Sequence, residues 1–187
     1  MPRSEAHGGY VCRLETLEGG HLPRLGRESL EADGEISEGA GLLVSVVKKV
    51  VRFAYDAPHT YGRRGARWYD GHHTLASRLS LNFGVTVHAY VFDPDELEQV
   101  VSYGNGHRVG GETLRYEDAE IEDAALSEEA FEKIRARWPM GHLGRLLGLG
   151  RSELLRLPYA RSVLIPLDVD APPLLEPLFP EEQPDPR

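Results

Sequence analysis

The sequence predicts an α+β fold: an antiparallel sheet of four to six strands with helices packed on one face. Three observations lead there. Val85 to Phe92, Leu97 to Tyr103 and the residues from His107 onward are short segments with strand-like alternation. They are joined by Asp93-Pro94-Asp95 and Gly104-Asn105-Gly106, turns too short to hold a crossover helix, so the strands pair antiparallel. Ahead of them, His72 to Phe83 carries Leu75, Leu79 and Phe83 at helical spacing and ends at Gly84, which supplies a left-handed stop.

Composition sets the bounds. A chain of 187 residues with 41% hydrophobic content supports one domain with a real core. The formal charge of −9 disfavours nucleic acid and anionic membranes unless a basic patch is set apart from the rest. The single cysteine, Cys12, forms no internal disulfide, and no apolar run approaches the ~20 residues of a membrane span, so a cytoplasmic protein without membrane contact is expected. The expected division is a flexible N-terminal arm over 1–41, one α+β domain over 42–168 and a proline-rich acidic tail over 169–187.

Within the arm, Tyr10 to Leu14 has the composition of a short strand, while Glu28 to Gly41 has almost no apolar content. Leu42 to Tyr55 is two-sided. Its apolar residues recur at helical spacing, yet it is rich in β-branched valine, and a strand is assigned over Leu42 to Val47. Asp56 to Gly71 is a loop with Pro58, Gly62 and Gly65. Val85 to Phe92 carries bulk on both faces and suits the interior of the sheet. For the next turn, a three-residue loop pairs Tyr103 with His107 and Val101 with Val109, placing both valines on one face. Ser127 is placed to cap a helix through Trp138, stopped by Pro139, with Phe131, Ile134 and Trp138 on its buried stripe. Two short helices follow, around His142 to Leu147 and Ser152 to Leu157, then a strand over Val163 to Leu167. Leu174, Leu175, Leu178 and Phe179 are placed to pin part of the tail.

No specific catalytic pattern is present. His72 and His73 are adjacent and diverge on a helix, and the chain lacks H-E-x-x-H, a cysteine pair and G-x-S-x-G. The acids Asp93, Asp95, Glu96 and Glu98 lack calcium-loop spacing and read as solvated turn residues. The sequence therefore assigns no catalytic residue, metal ligand or cofactor, and sets no oligomeric state.

The run His142-Leu143-Gly144-Arg145-Leu146-Leu147-Gly148-Leu149-Gly150-Arg151-Ser152-Glu153-Leu154-Leu155-Arg156-Leu157 resembles a helix-turn-helix. Gly144 and Gly148 are four apart, and Leu143, Leu147, Leu149, Leu154 and Leu157 sit where two helices pack. The resemblance implies that Arg151, Ser152 and Arg156 face a DNA major groove, with Arg145 on the same basic segment. Two short helices packed at an angle in a domain corner produce the same pattern.

The leading expectation is a non-catalytic protein-binding or regulatory domain of the bacterial cytoplasm. It would dock a protein partner much as small acidic immunity or accessory proteins do, with Arg63, Arg64, Arg67, Trp68 and Tyr69 as contact residues. DNA binding through 142–157 is the alternative. A metal-dependent hydrolase built around His59, His72 or His73 comes third.

Overall fold

The structure, a computed structural model, describes residues 6–35, 37–56, 73–119, 129, 133 and 136–179. In chain order its elements are β1 (His7–Arg13), α1 (Leu22–Ala32), β2 (Gly41–Val47), β3 (Val50–Asp56), α2 (Thr74–Phe83), β4 (Val87–Asp93), β5 (Leu97–Gly104), β6 (His107–Arg115), α3 (Tyr116–Ala119), α4 (Pro139–Leu147), α5 (Arg151–Arg156) and β7 (Ser162–Pro166). The strands form one sheet in the order β6-β5-β4-β1-β3-β2-β7, with every pairing antiparallel.

The α+β class is as expected, but two details differ. The sheet has seven strands rather than four to six, and helices cover both faces rather than one. Side chains along a strand alternate between faces, and here both sets are apolar. On one face Cys12, Val51, Phe53 and Val87 pack with Leu22 and Leu30 of α1, Leu75 and Leu79 of α2, and Leu175 and Leu178 near the C-terminus. On the other, Val11, Val50, Tyr90, Phe92 and Val100 pack with Met140, Leu143 and Leu147 of α4 and Leu154 of α5. A sheet apolar on both sides needs a layer on each.

The largest correction concerns residues 1–41, expected as a flexible arm. β1 is the central strand, pairing with β3 through Tyr10↔Phe53 and with β4 through His7↔Phe92. α1 is a formed helix that buries Leu22, Pro23, Gly26, Ser29 and Leu30. Its buried stripe includes small and polar residues, which is why it does not read as apolar. Gly26 is there for closeness: a Cβ would lie 2.8 Å from Leu167 Cδ2, and its carbonyl accepts from Tyr55 Oη at 3.0 Å. In the expected tail, Leu175 and Leu178 are buried and Phe179 packs against the core, while Leu174 is exposed; residues 180–187 lie outside the described residues.

Leu42 to Tyr55 is two strands, not one segment of either type. β2 and β3 pair from Gly41↔Asp56 to Val47↔Val50, and Lys48-Lys49 forms the turn with φ of 49° and 65°. A two-residue turn with both residues left-handed matches the twist of a hairpin. The apparent helical spacing arises because the turn falls inside it.

The β5–β6 turn corrects the expected register. Gly104 pairs with His107 and Tyr103 with Arg108, so the loop is the two-residue Asn105-Gly106, at φ of 51° and 81°. An irregularity then follows, after which Ser102 pairs with Gly110 and Val101 with Gly111. Val109 is left unpaired in the bulge and 62% exposed, so matching it to Val101 carried no energy. α2 fixes this turn from outside: Gly106 N donates to Ser80 Oγ at 2.9 Å, and Ser77 Oγ donates to the Gly106 carbonyl. Gly84 ends α2 at φ 64°, as its position predicts. Ser127, Phe131 and Ile134 of the expected 127–138 helix lie outside the described residues. Pro139 opens α4, where its missing N–H costs nothing.

Candidate functional site

Arg63, Arg64, Arg67, Trp68 and Tyr69, together with His59 and His72, lie outside the described residues. His73 directly precedes α2, its ring 5.9 Å from that of Tyr103. Among the described residues no group of three or more His, Cys, Asp or Glu side chains is placed to hold a metal ion.

The two short helices of the helix-turn-helix-like segment are present. Gly148 ends α4 at φ 73°; Gly148 N donates to Arg145 O at 3.2 Å and Leu149 N to Gly144 O at 2.8 Å. This is the paired bonding of a glycine-terminated helix. A Cβ on Gly144 would lie 2.8 Å from Leu149 O, so both glycines serve the corner itself. Arg145, Ser152 and Arg156 are exposed. Arg151 is not available with them, because it turns inward to the sheet.

Arg151 pairs with Glu98 of β5, whose side chain is fully buried. Glu98 Oε1 accepts from Arg151 Nη2 and, at 3.0 Å, from Tyr116 Oη, while Oε2 accepts from the Met140 backbone N–H at 3.0 Å. The guanidinium lies 5.7 Å from the Phe92 ring centre and 5.9 Å from that of Trp138. Removing one partner from such a buried pair leaves the other charge stranded, at a cost of about 3–5 kcal/mol. The pair therefore locks the helical corner onto β5. Glu98 is a structural anchor rather than the solvated turn acid expected, and Arg151 drops out of the groove-facing set.

Beside that lock, α4 and the outer strands enclose a cleft of about 200 Å³. His88 of β4 and Ser102 of β5 form its polar floor, with His88 Nδ1 2.7 Å from Ser102 Oγ. Gly110, Gly111 and Glu112 of β6 form one wall and His142, Leu143 and Leu146 of α4 the other. Across the mouth, His142 Nδ1 stands 3.6 Å from Glu112 Oε2. Burial, and after it the charge of His142, holds His88 down to about 4. A neutral imidazole bonded to a hydroxyl is a hydrogen-bonding surface for an entering polar group, and a weak base at neutral pH. At Gly110 and Gly111, next to the bulge, this wall has no side chains. Leu146, at the rim, is 60% exposed.

β6 bounds the cleft and the sheet. It is nine residues long, has β5 on one side and is exposed along nearly its whole length. Tyr116 N donates to Glu96 O at 2.9 Å. Antiparallel bonds alternate from that point, so the Gln99–Thr113 pair makes no ladder bond and the Thr113 N–H points away from β5. The Gln99 Nε2 to Thr113 Oγ1 bond, at 3.1 Å, fits such a pair, where side chains are closest.

His88 and Glu98 were visible in the sequence as residue types, but nothing local separates an inward Glu98 from its solvated neighbours. The signal available was alternation, which puts Glu98 on the face of the buried Val100. No protein-family model matches the chain, and no curated protein or solved structure matches it. No helix among the described residues is long and apolar enough to cross a membrane.

Proposed function

We propose that the chain is a non-catalytic binding module of the cytoplasm that docks a protein partner along β6. An extended segment of the partner adds to the sheet edge, and one of its side chains enters the cleft between β6 and α4. The observation that carries this reading is the length and exposure of β6: nine residues with no strand on their outer side among the described residues, outward backbone groups at Thr113 and no proline or lysine to block pairing. Backbone bonding along the edge supplies affinity, and the cleft holding His88, Ser102 and Leu146 supplies selectivity.

The test is affinity capture from the native host with the intact chain, Thr113→Pro and Leu146→Asp. Proline at 113 removes an outward N–H that makes no bond to β5, so the sheet survives. A partner retained by the intact chain is expected to be lost from both variants, with their thermal unfolding within a few degrees of the parent. A partner that binds all three equally overturns the reading, as does the absence of any retained protein.

A further inference from the structure

A second site lies on the same face of the sheet, where the helical corner stops short of β1, β2 and β3. Arg52 stands in the middle of β3, between Val51 and Phe53 of the core, and is 7% exposed. Its Nε donates to Tyr90 Oη at 2.9 Å and its Nη2 to the Gly8 carbonyl. These account for two of the five N–H groups of a guanidinium. Among the described residues no carboxylate pairs with it. Arg151, a half-buried arginine of this face, has Glu98; among the described residues Arg52 has neutral oxygens alone.

The surroundings are shaped around the guanidinium. A Cβ at Gly9 would lie 2.7 Å from Phe53 O and 3.1 Å from Arg52 Nε, so the arginine lies over β1 where that strand has no side chain. His7 packs edge-on to Tyr90 with ring centres 5.8 Å apart. Its Nδ1 is 3.4 Å from Tyr90 Oη, and its buried Nε2 has no hydrogen-bond partner among the described residues. Arg52 and His7 line a cleft of about 300 Å³, the lower end of the size of small-molecule sites, whose other walls include Leu43, Ala54 and Pro158.

We propose that this cleft binds a small organic carboxylate with an apolar body, with Arg52 as its counter-charge. A buried cation without an anion is costly unless a ligand supplies the charge. The three remaining N–H groups suit a carboxylate, which a guanidinium meets with parallel bonds. The apolar walls suit the body of the ligand, whereas a phosphate dianion would call for more donors than one arginine. His7, held down to about 4 by burial and then by the Arg52 charge, is neutral at pH 7 and adds a polar contact without competing for the anion. The site is separate from β6 and stands whether or not a protein docks there.

Calorimetric titration and thermal unfolding of the full chain test it, with benzoate, hexanoate, inorganic phosphate and the neutral benzyl alcohol as probes. Benzoate or hexanoate is expected to bind and to raise the melting temperature; phosphate and benzyl alcohol are not. Arg52→Met is expected to weaken carboxylate binding by about tenfold or more, the worth of a charged hydrogen bond. Without ligand it should melt no lower than the parent, because the unpaired charge is gone. Ala54→Leu fills the cleft with Arg52 in place and should abolish binding in a folded chain, which keeps the proposal testable if Arg52→Met fails to fold. Equal binding of benzyl alcohol and benzoate overturns it, as does phosphate binding as tight as benzoate, no binding of either carboxylate, or carboxylate binding unchanged in Ala54→Leu.

Discussion

His7 and His88 are residues whose chemistry is set by what buries them. Both are held down to about 4 from the ordinary 6.5, by burial first and then by Arg52 for His7 and His142 for His88. Between pH 4 and 6.5 the unfolded chain binds protons that the folded chain refuses, so their contribution is complete above about pH 6.5 and lost as the pH falls toward 4. Each site accounts for roughly 3 kcal/mol across that window. His88→Gln should flatten the change in urea midpoint between pH 7 and pH 4.5 relative to the parent, with carboxylate effects common to both. An equally steep loss in the variant would show that His88 is not excluded from protonation. Cys12 follows the same physics: burial pushes its thiol up to about 12, which makes it a core residue rather than a nucleophile.

Turns decide how the elements join. Asn105-Gly106 has residue types that accept two left-handed conformations at little cost. Lys48-Lys49 adopts the same conformations without them, and a non-glycine residue pays about 1 kcal/mol or more there. The lysines gain in return an ion pair each, Lys48 with Glu153 at 2.5 Å and Lys49 with Glu15, both largely exposed and screened by solvent, so neither offsets much of the strain. Replacing the pair by Asn-Gly should therefore stabilise the fold by about 1 kcal/mol net, raising the melting temperature by roughly 2–4 °C. A lower melting temperature would mean that the two ion pairs outweigh the backbone strain. Lys-Lys is not a hairpin signal, and that is why Leu42 to Tyr55 showed helical spacing against a strand-like composition. The glycine stops at Gly84 and Gly148 and the turn at Pro94, in contrast, were legible because their residue types suit one local conformation each.

At the scale of the whole molecule, the sheet is held together through its N-terminal strand. β1 joins β3 on one side to β4 on the other, so among the described residues the two halves, β6-β5-β4 and β3-β2-β7, share no other strand pairing. Removal of residues 1–13 is expected to abolish cooperative unfolding rather than trim a tail. Calorimetry of the truncated chain checks this, and a parent-like transition would mean that the halves cohere through their helical layers alone. The two functional surfaces proposed above occupy opposite ends of one face, separated by the helical corner that Glu98 and Arg151 lock in place.

By itself the sequence determined the α+β class, the helix ending at Gly84, the strands on either side of Pro94 and the two helices meeting at Gly148. Each of these is written in short-range periodicity or in a residue suited to one backbone conformation. Only the tertiary structure decided the rest: that His7–Arg13 is central, that the sheet is covered on both faces, that Arg151 and Glu98 turn inward, and that Arg52 is a buried cation beside a cleft. Those outcomes depend on partners far apart in the chain, such as Tyr10 with Phe53, His7 with Phe92 and Glu98 with Arg151. A charge in a strand carries no mark of whether it faces water or the core until the neighbouring strands and helices close around it.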